Sequence, residues 1–543
     1  MTDVVESFKP RGDCRIHYVS DPSSVVTNVL PDPAEPEHLR RWVDTLADSG
    51  VDTFDQEVFS MGWTAYWRSQ NYEYDRRIHH RRFKPMLDRG IQPLEILIDQ
   101  VHKRGMTFVA GFRVNDNHAY IARQQGVGIA GFIESHPELR LTDLPEGEGY
   151  KTAAPLDFTH PAVRDYLHGV VEEVVNRFDV DGIEMCMRDH SYFPPKTARE
   201  QANLMTDLMR RVRDTLNQRG DARGRPLLMG ARVFSAIEEC RDLGLDVPTW
   251  IKEGLIDYLS PQDTMYADFN IPIETWSALT RASDCMLYAA GQPWSSNRAR
   301  NRMDQIRLSS ANWRALAHLS YAAGADGLSF YNDFCTMWNA PFYPYQMQIF
   351  HELRDPDRVR AGERHYVFDP TWGGFTSFGG DGRSSTGVVN ANHVRLARSG
   401  TDSEGTYAFR LYEDLEQAHG ATLLFRGFGL FENDELEVSL NGHPVPDDAI
   451  GRTRETSAPR TEWHHTRQTG KGQIKCIQEQ ARIDFRPDGE PAFSTRWFAL
   501  DESLVRQGIN DLTVRLVRSD PAATDPIVID EVEIHVMPKV RDF

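Results

Sequence analysis

The chain has 543 residues, more than one ordinary domain of about 150 residues, and its 40% hydrophobic, 10% aromatic and 26% charged residues describe a folded globular protein, not a disordered or fibrous one. Asp and Glu number 80 against 61 Lys and Arg, a formal charge of −19 that repels phosphate backbones and argues against nucleic acid as a partner. Cys14, Cys186, Cys240, Cys285, Cys335 and Cys476 are scattered without any CxxC spacing, which argues against a disulfide scaffold or a thiolate zinc site.

The first residues lack a charged segment followed by an apolar one, and no window approaches ~18 uninterrupted apolar residues. The expectation is a cytoplasmic chain without a membrane partner, although a secreted chain trimmed of its signal peptide would read the same.

From about residue 37 to 355, helical and extended patterns alternate. In chain order they are helix Glu37–Ser49, strand Val51–Val58, helix Leu94–Arg104, strand Met106–Arg113 and a weaker strand Ala153–Phe158 after a polar excursion from Asn117. Helix Pro161–Arg177, with proline in its first turn, leads to strand Val180–Cys186, helix Thr197–Gln218 and strands Pro226–Val233 and Ile256–Ser260. Helix Ile273–Ala282, strand Cys285–Ala289, helix Asn301–Ala323, strand Gly327–Tyr331 and helix Gln346–Leu353 complete the series. Eight strands with crossover helices predict a (β/α)8 TIM barrel over residues 1–360. The alternative, an open doubly wound sheet, lacks its glycine-rich phosphate turn after the first strand.

Beyond residue 360 helical spacing disappears. Gly373–Gly380 is glycine-rich, and Thr406–Tyr412, Ala421–Phe428, Glu435–Leu440, Ser494–Leu500, Asp511–Val517 and Ile527–Val536 each suit a strand. Asn441-Gly442 is a hairpin signal, and the polar stretch Gly451–Lys475 reads as one long loop. Residues 361–543 are expected to form an all-β jelly-roll sandwich.

In a barrel the chemistry sits at the C-terminal strand ends. Glu184, Cys186 and Arg188 share one strand face and Ile183, Met185 and Met187 the other, so the apolar trio should face the helices and Glu184 the barrel interior. There burial raises a carboxyl pKa and an arginine lowers it; the bland reading is a structural ion pair with Arg113 or Arg232. Asp263 lies where a second carboxylate could face Glu184, and equally where a turn residue would sit. Of Asp55 and Glu57, one is expected to reach the pocket and the other to orient it; Asp189, beside Arg188, is a further candidate or a surface ion pair. Arg113, Asn115, His118, Arg188, Arg232, Tyr331 and Asn332 supply donors and acceptors for sugar hydroxyls or an acidic group. Trp294, Trp338 and the Trp63, Tyr66, Trp67, Tyr72 and Tyr74 cluster offer faces for stacking on a pyranose, or simply pack. His79-His80 and His464-His465 are adjacent pairs whose side chains diverge, so no metal is expected. No nicotinamide fingerprint or P-loop occurs, and the chemistry is expected to need no cofactor.

Leu156-Asp-Phe-Thr-His-Pro-Ala-Val-Arg-Asp-Tyr-Leu167, leading to Phe178-Asp-Val-Asp-Gly-Ile-Glu-Met-Cys-Met-Arg-Asp-His190, is similar to a pattern of α-amylase-like barrels and family-10-like glycosyl hydrolases. Asp434-Glu-Leu-Glu-Val-Ser-Leu-Asn-Gly-His443 and Gly508-Ile-Asn-Asp-Leu-Thr-Val514 resemble a galactose-binding-like sandwich. The resemblance implies a glycoside hydrolase acting on a carbohydrate substrate through a carboxylate pair, Glu184 and Asp263, with Glu57 or Asp189 as substitute. It also shows a departure. In the α-amylase pattern Asp-Gly-x-Arg-x-Asp the last Asp is the nucleophile, and Glu184 and Cys186 stand at the corresponding positions. A buried strand cysteine is usually an apolar filler, and a nucleophile only where a base activates it. A non-catalytic glycan-binding barrel and a sugar-acid lyase or isomerase therefore stay open as alternatives. So does a homo-oligomeric state. Converging arginines suggest a uronic or sulfated glycan.

Overall fold

The computed structural model describes residues 10–13, 15–21, 29–60, 62–116, 122, 125–141, 155–187, 191–262, 267–295, 306–332, 345–368, 394–400, 403–431, 433–454, 473–476, 481–484, 493–524 and 526–539. Among these, eight parallel strands close a barrel: β1 Ile16–Ser20, β2 Thr53–Ser60, β3 Thr107–Arg113, β4 Gly182–Cys186, β5 Leu228–Val233, β6 Tyr258–Pro261, β7 Met286–Gly291 and β8 Gly327–Tyr331. β1 pairs with both β8 and β2, which removes the sheet edges. Each strand is followed by a helix: α1 Pro36–Asp48, α2 Pro93–Lys103, α3 Pro161–Arg177, α4 Ala202–Arg223, α5 Val247–Lys252, α6 Ile273–Thr280, α7 Ser310–Ala322 and α8 Ile349–Leu353. The expected TIM barrel is borne out.

Two of the expected barrel elements need correction. The barrel opens at Ile16-His-Tyr-Val-Ser20, a five-residue strand buried on both faces that has no alternation to betray it. It takes the place assigned to Ala153–Phe158, of which residues 155–158 form no barrel strand. Both backbone polar groups of Leu156 are instead captured by the Asn115 amide: its N–H donates to Asn115 Oδ1 at 3.0 Å and its carbonyl accepts from Nδ2 at 2.9 Å. The expected helix from Asn301 begins at Ser310. Ser309 caps it, its Oγ accepting from the Asn312 N–H at 3.2 Å, while Ile306–Arg307 pairs as a short strand with Trp294–Ser295.

The second half holds antiparallel sheets. One runs β9 Arg364–Phe368, β18 Ile527–Pro538, β12 Ala418–Phe428, β16 Phe493–Ala499 and β15 Gly451–Arg454, with β10 Val394–Leu396 also on β18. A second runs β11 Glu404–Leu411, β17 Gly508–Arg518, β13 Glu435–Leu440 and β14 His443–Val445, and Gln473–Cys476 pairs with Ala481–Asp484 in a further two-stranded sheet. Alternate residues such as Tyr407, Phe409, Leu512, Val514, Ile534 and Val536 are buried in the hydrophobic core. Asn441-Gly442 makes the expected two-residue turn, both residues at positive φ, with Leu440 opposite His443. The stretch Gly451–Lys475, read as one loop, begins as strand β15 and ends in the strand Gln473–Cys476; Gly373–Gly380 lies outside the described residues.

Barrel and sandwich meet along α7. Asn312 Nδ2 donates to the His365 carbonyl at 2.7 Å, and His318 Nδ1 lies 3.1 Å from the Tyr366 hydroxyl. Arg364 holds Glu413 through two hydrogen bonds of 2.5 and 2.8 Å, and Tyr366 donates to the same carboxylate.

Candidate active site

The pairing register puts the inward side chains of alternate strands into layers of four, as barrel geometry requires. From the floor to the C-terminal mouth they are Thr53, Gly182, Tyr258 and Gly327; His17, Val109, Gly230 and Tyr288; Asp55, Glu184, Ser260 and Ser329; Val19, Gly111, Arg232 and Ala290; and Glu57, Cys186, Gln262 and Tyr331. Large and small residues alternate so that the layers interlock. A Cβ on Gly230 would come within 2.0 Å of the Tyr258 ring, and one on Gly327 within 2.7 Å of Tyr288. At Gly111 a Cβ would meet Asp55 Oδ1 at 2.6 Å, so this glycine lets the Asp55 carboxyl lie against its strand.

Glu184 faces the interior and is tied down there. Arg232 donates to it from Nε at 2.7 Å and from Nη2 at 3.3 Å, and reaches Gln262 Oε1 at 2.5 Å and Ser329 Oγ at 2.6 Å. One guanidinium thus joins β4, β6 and β8. Burial is the largest single influence and opposes its charge, yet the neighbouring acidic groups, Glu184 first and then Cys186 and Asp55, together outweigh it and raise the Arg232 pKa. Burial, and then the Glu184 carboxylate, push Asp55 well above the usual carboxylate range, with Arg232 pulling the other way. The protonated Asp55 can therefore donate to Glu184. Burial beside the same two carboxyls also raises the Tyr258 phenol.

The top layer carries a second network. Glu57 Oε1 accepts from the Tyr331 hydroxyl at 2.9 Å and lies 3.2 Å from Arg113 Nε. Arg113 Nη2 donates to the Tyr331 hydroxyl at 2.7 Å and Nη1 to Asp116 at 2.8 Å. Two cations approach the Tyr331 ring, with Arg113 Cζ 5.8 Å and Arg232 Cζ 5.9 Å from its centroid. Glu57 is therefore a carboxylate with fixed donors at the mouth, two layers above Glu184. Such a group can accept a proton or sit against developing positive charge at small reorganisation cost.

Asn115 and Asn332 are used structurally. Asn115 binds Leu156 and the Ser191 carbonyl, and Asn332, at φ 53°, accepts from the Asp21 N–H at 2.7 Å. Asp263, Asp189, His118, Arg188 and Trp338 lie outside the described residues, as does the side chain of Trp294. The loop aromatics pack: Trp63 and Trp67 are fully buried, Trp63 against Phe59, Phe158 and Tyr166, and Trp67 Nε1 donates to Glu173 at 2.7 Å. His80 belongs to a buried cluster with Asp75 and Arg77. Sequence reasoning missed Tyr258, Ser329 and Gly111; glycines on successive strands opposite large residues were the signal that could have found them.

A model of the family described as Glycosyl hydrolase-like 10 matches residues 22–216. The glycosyl hydrolase YngK of Bacillus subtilis (strain 168) is 24% identical over 270 residues, covering 42% of this chain and 46% of that protein. The chain thus spans about half the length of the curated relative it matches. Among solved structures, α-L-fucosidase isoenzyme 2 from Paenibacillus thiaminolyticus aligns with a TM-score of 0.40 and 13% identity over 65% of this chain and 51% of that one. A Paenibacillus sp. cycloisomaltooligosaccharide glucanotransferase aligns with a TM-score of 0.34 and 12% identity over 95% and 57%. The expected resemblance to glycoside-hydrolase-like barrels is borne out by the family match. Among the described residues no helix is long and apolar enough to cross a membrane.

Proposed function

We propose that the protein hydrolyses a glycosidic bond of a carbohydrate at the mouth of its barrel, with residues 1–360 as catalytic domain and 361–543 as accessory domain. The observation that carries this reading is Glu57, held in the uppermost interior layer by Tyr331 and Arg113. Glu57 acts as nucleophile or base, and Asp263, one residue beyond Gln262, protonates the leaving oxygen. Glu184 does not touch the sugar in this scheme. It anchors Arg232, which sets the potential beneath Glu57. Arg188, His118 and Trp294 provide substrate contacts from the loops, and Asp189 is the substitute acid.

The match to a glycosyl hydrolase-like family supports the reaction class. The test is release of reducing ends from a panel of neutral and acidic oligosaccharides. Glu57→Gln should lower kcat by at least about 100-fold while the circular dichroism spectrum stays that of the native fold; a fully active E57Q removes Glu57 from the chemistry.

A glycan-binding barrel without turnover is the second reading. Cys186 favours it, standing in the top layer where the α-amylase-like pattern has its nucleophile. Calorimetric binding of an oligosaccharide that is never cleaved would select it.

A further inference from the structure

The sandwich carries a side-chain cluster that the barrel chemistry leaves unused. Strands β9 and β18 run antiparallel with His365 opposite His535 and Val367 opposite Glu533. Val532, Ile534 and Val536 point into the core, so Glu533 and His535, two residues apart, share the opposite face. His365 Nε2 lies 2.6 Å and His535 Nε2 3.6 Å from the same oxygen, Glu533 Oε2. The two imidazole rings stack with centroids 3.7 Å apart. One ligand atom from each of the three side chains lies within 4.8 Å of the others. Glu533 is buried at 3% exposure, while the histidines are partly open to solvent.

We propose that His365, Glu533 and His535 bind one zinc-class divalent cation. Protons alone serve this arrangement poorly. Both nitrogens face one carboxylate oxygen, and charging both rings would stack two cations. A divalent ion meets two neutral imidazole lone pairs and the carboxylate at once. Bonds of about 2.0–2.1 Å in a tetrahedron set ligand atoms roughly 3.3 Å apart. The 3.6 Å separation is close to that spacing, and the 2.6 Å one opens by a small imidazole shift. Two nitrogens and one oxygen form a borderline donor set that suits zinc better than calcium or magnesium, which take oxygen ligands. A water fills the fourth position on the exposed side. The ion would clamp β9 to β18, and because Asn312 of α7 donates to the His365 carbonyl, it would also steady the seat of the sandwich on the barrel.

The test uses the full chain, free of any affinity tag, stripped with a chelator and titrated with zinc sulfate by calorimetry, with metal content measured by mass spectrometry. The expected result is one zinc per chain and a higher melting temperature than the stripped protein. The double variant His365→Gln, His535→Gln should melt like the stripped protein, keep its circular dichroism and take up no zinc. Equal uptake by the double variant, or no uptake by the native sequence, overturns the proposal. Cobalt(II) read on the native sequence guards against a misfolded variant: strong visible bands of a four-coordinate ion support the site, and the weak bands of a six-coordinate ion overturn it.

Discussion

Arg232 shows how the barrel interior handles charge. Removing one partner of a buried pair costs about 3–5 kcal/mol because the other is left uncompensated, which explains why this guanidinium is hydrogen-bonded to three different strands. Asp55, one layer below it, has the opposite problem: burial and Glu184 raise its pKa. A carboxyl whose folded value lies above its unfolded value of about 3.9 stabilises the fold fully below that value and loses the contribution as pH rises toward the folded one. Asp55→Asn mimics the protonated acid at every pH. Urea denaturation of D55N should therefore show a flatter decline in stability above pH 4 than the native sequence; an identical slope would mean that Asp55 is ionised in the folded protein. At this scale Glu57, Glu184, Arg113 and Arg232 were legible, because strand alternation assigns each to a face. The Asn115 role was not, because its partners Leu156 and Ser191 are 41 and 76 residues away.

Among the elements, helices announced themselves through 3.6-residue spacing, and most strands through their apolar runs. β1 did not: Ile16–Ser20 is short, and its partners β2 and β8 alone make it a strand. The rank of Gly182–Cys186 as fourth strand survived only because one missed strand replaced one wrongly assigned. The Asn441-Gly442 turn, by contrast, is local chemistry. Gly442 sits at φ 82°, a region that costs an L-residue about 1–2 kcal/mol. Gly442→Ala should lower the unfolding free energy of the sandwich by that amount in chemical denaturation, with no change in the activity proposed for the barrel. A neutral effect would place the turn in another conformation.

At the scale of the whole molecule, the seam between barrel and sandwich rests on polar groups buried along α7. Burial lowers the His318 pKa, with Glu413 opposing, so the imidazole is neutral in the fold. For a base with a depressed folded value, stability is complete above the unfolded value of about 6.5 and is lost as pH falls from there toward the folded one. Scanning calorimetry should therefore show the melting temperature falling below pH 6.5, and His318→Gln should remove that part of the slope. An unchanged slope in H318Q would assign the acid sensitivity elsewhere.

Periodicity and turn chemistry, which depend on neighbours a few residues apart, determined by themselves the alternation of strands and helices, the change to antiparallel sheet after residue 360 and the inward direction of Glu184. Closure through β1, the pairing of Glu184 with Arg232, the height of Glu57 above it and the meeting of His365 with Glu533 and His535 were decided by the tertiary structure alone. Each joins residues far apart in the chain, and only barrel shear and sheet register bring them within a few ångströms.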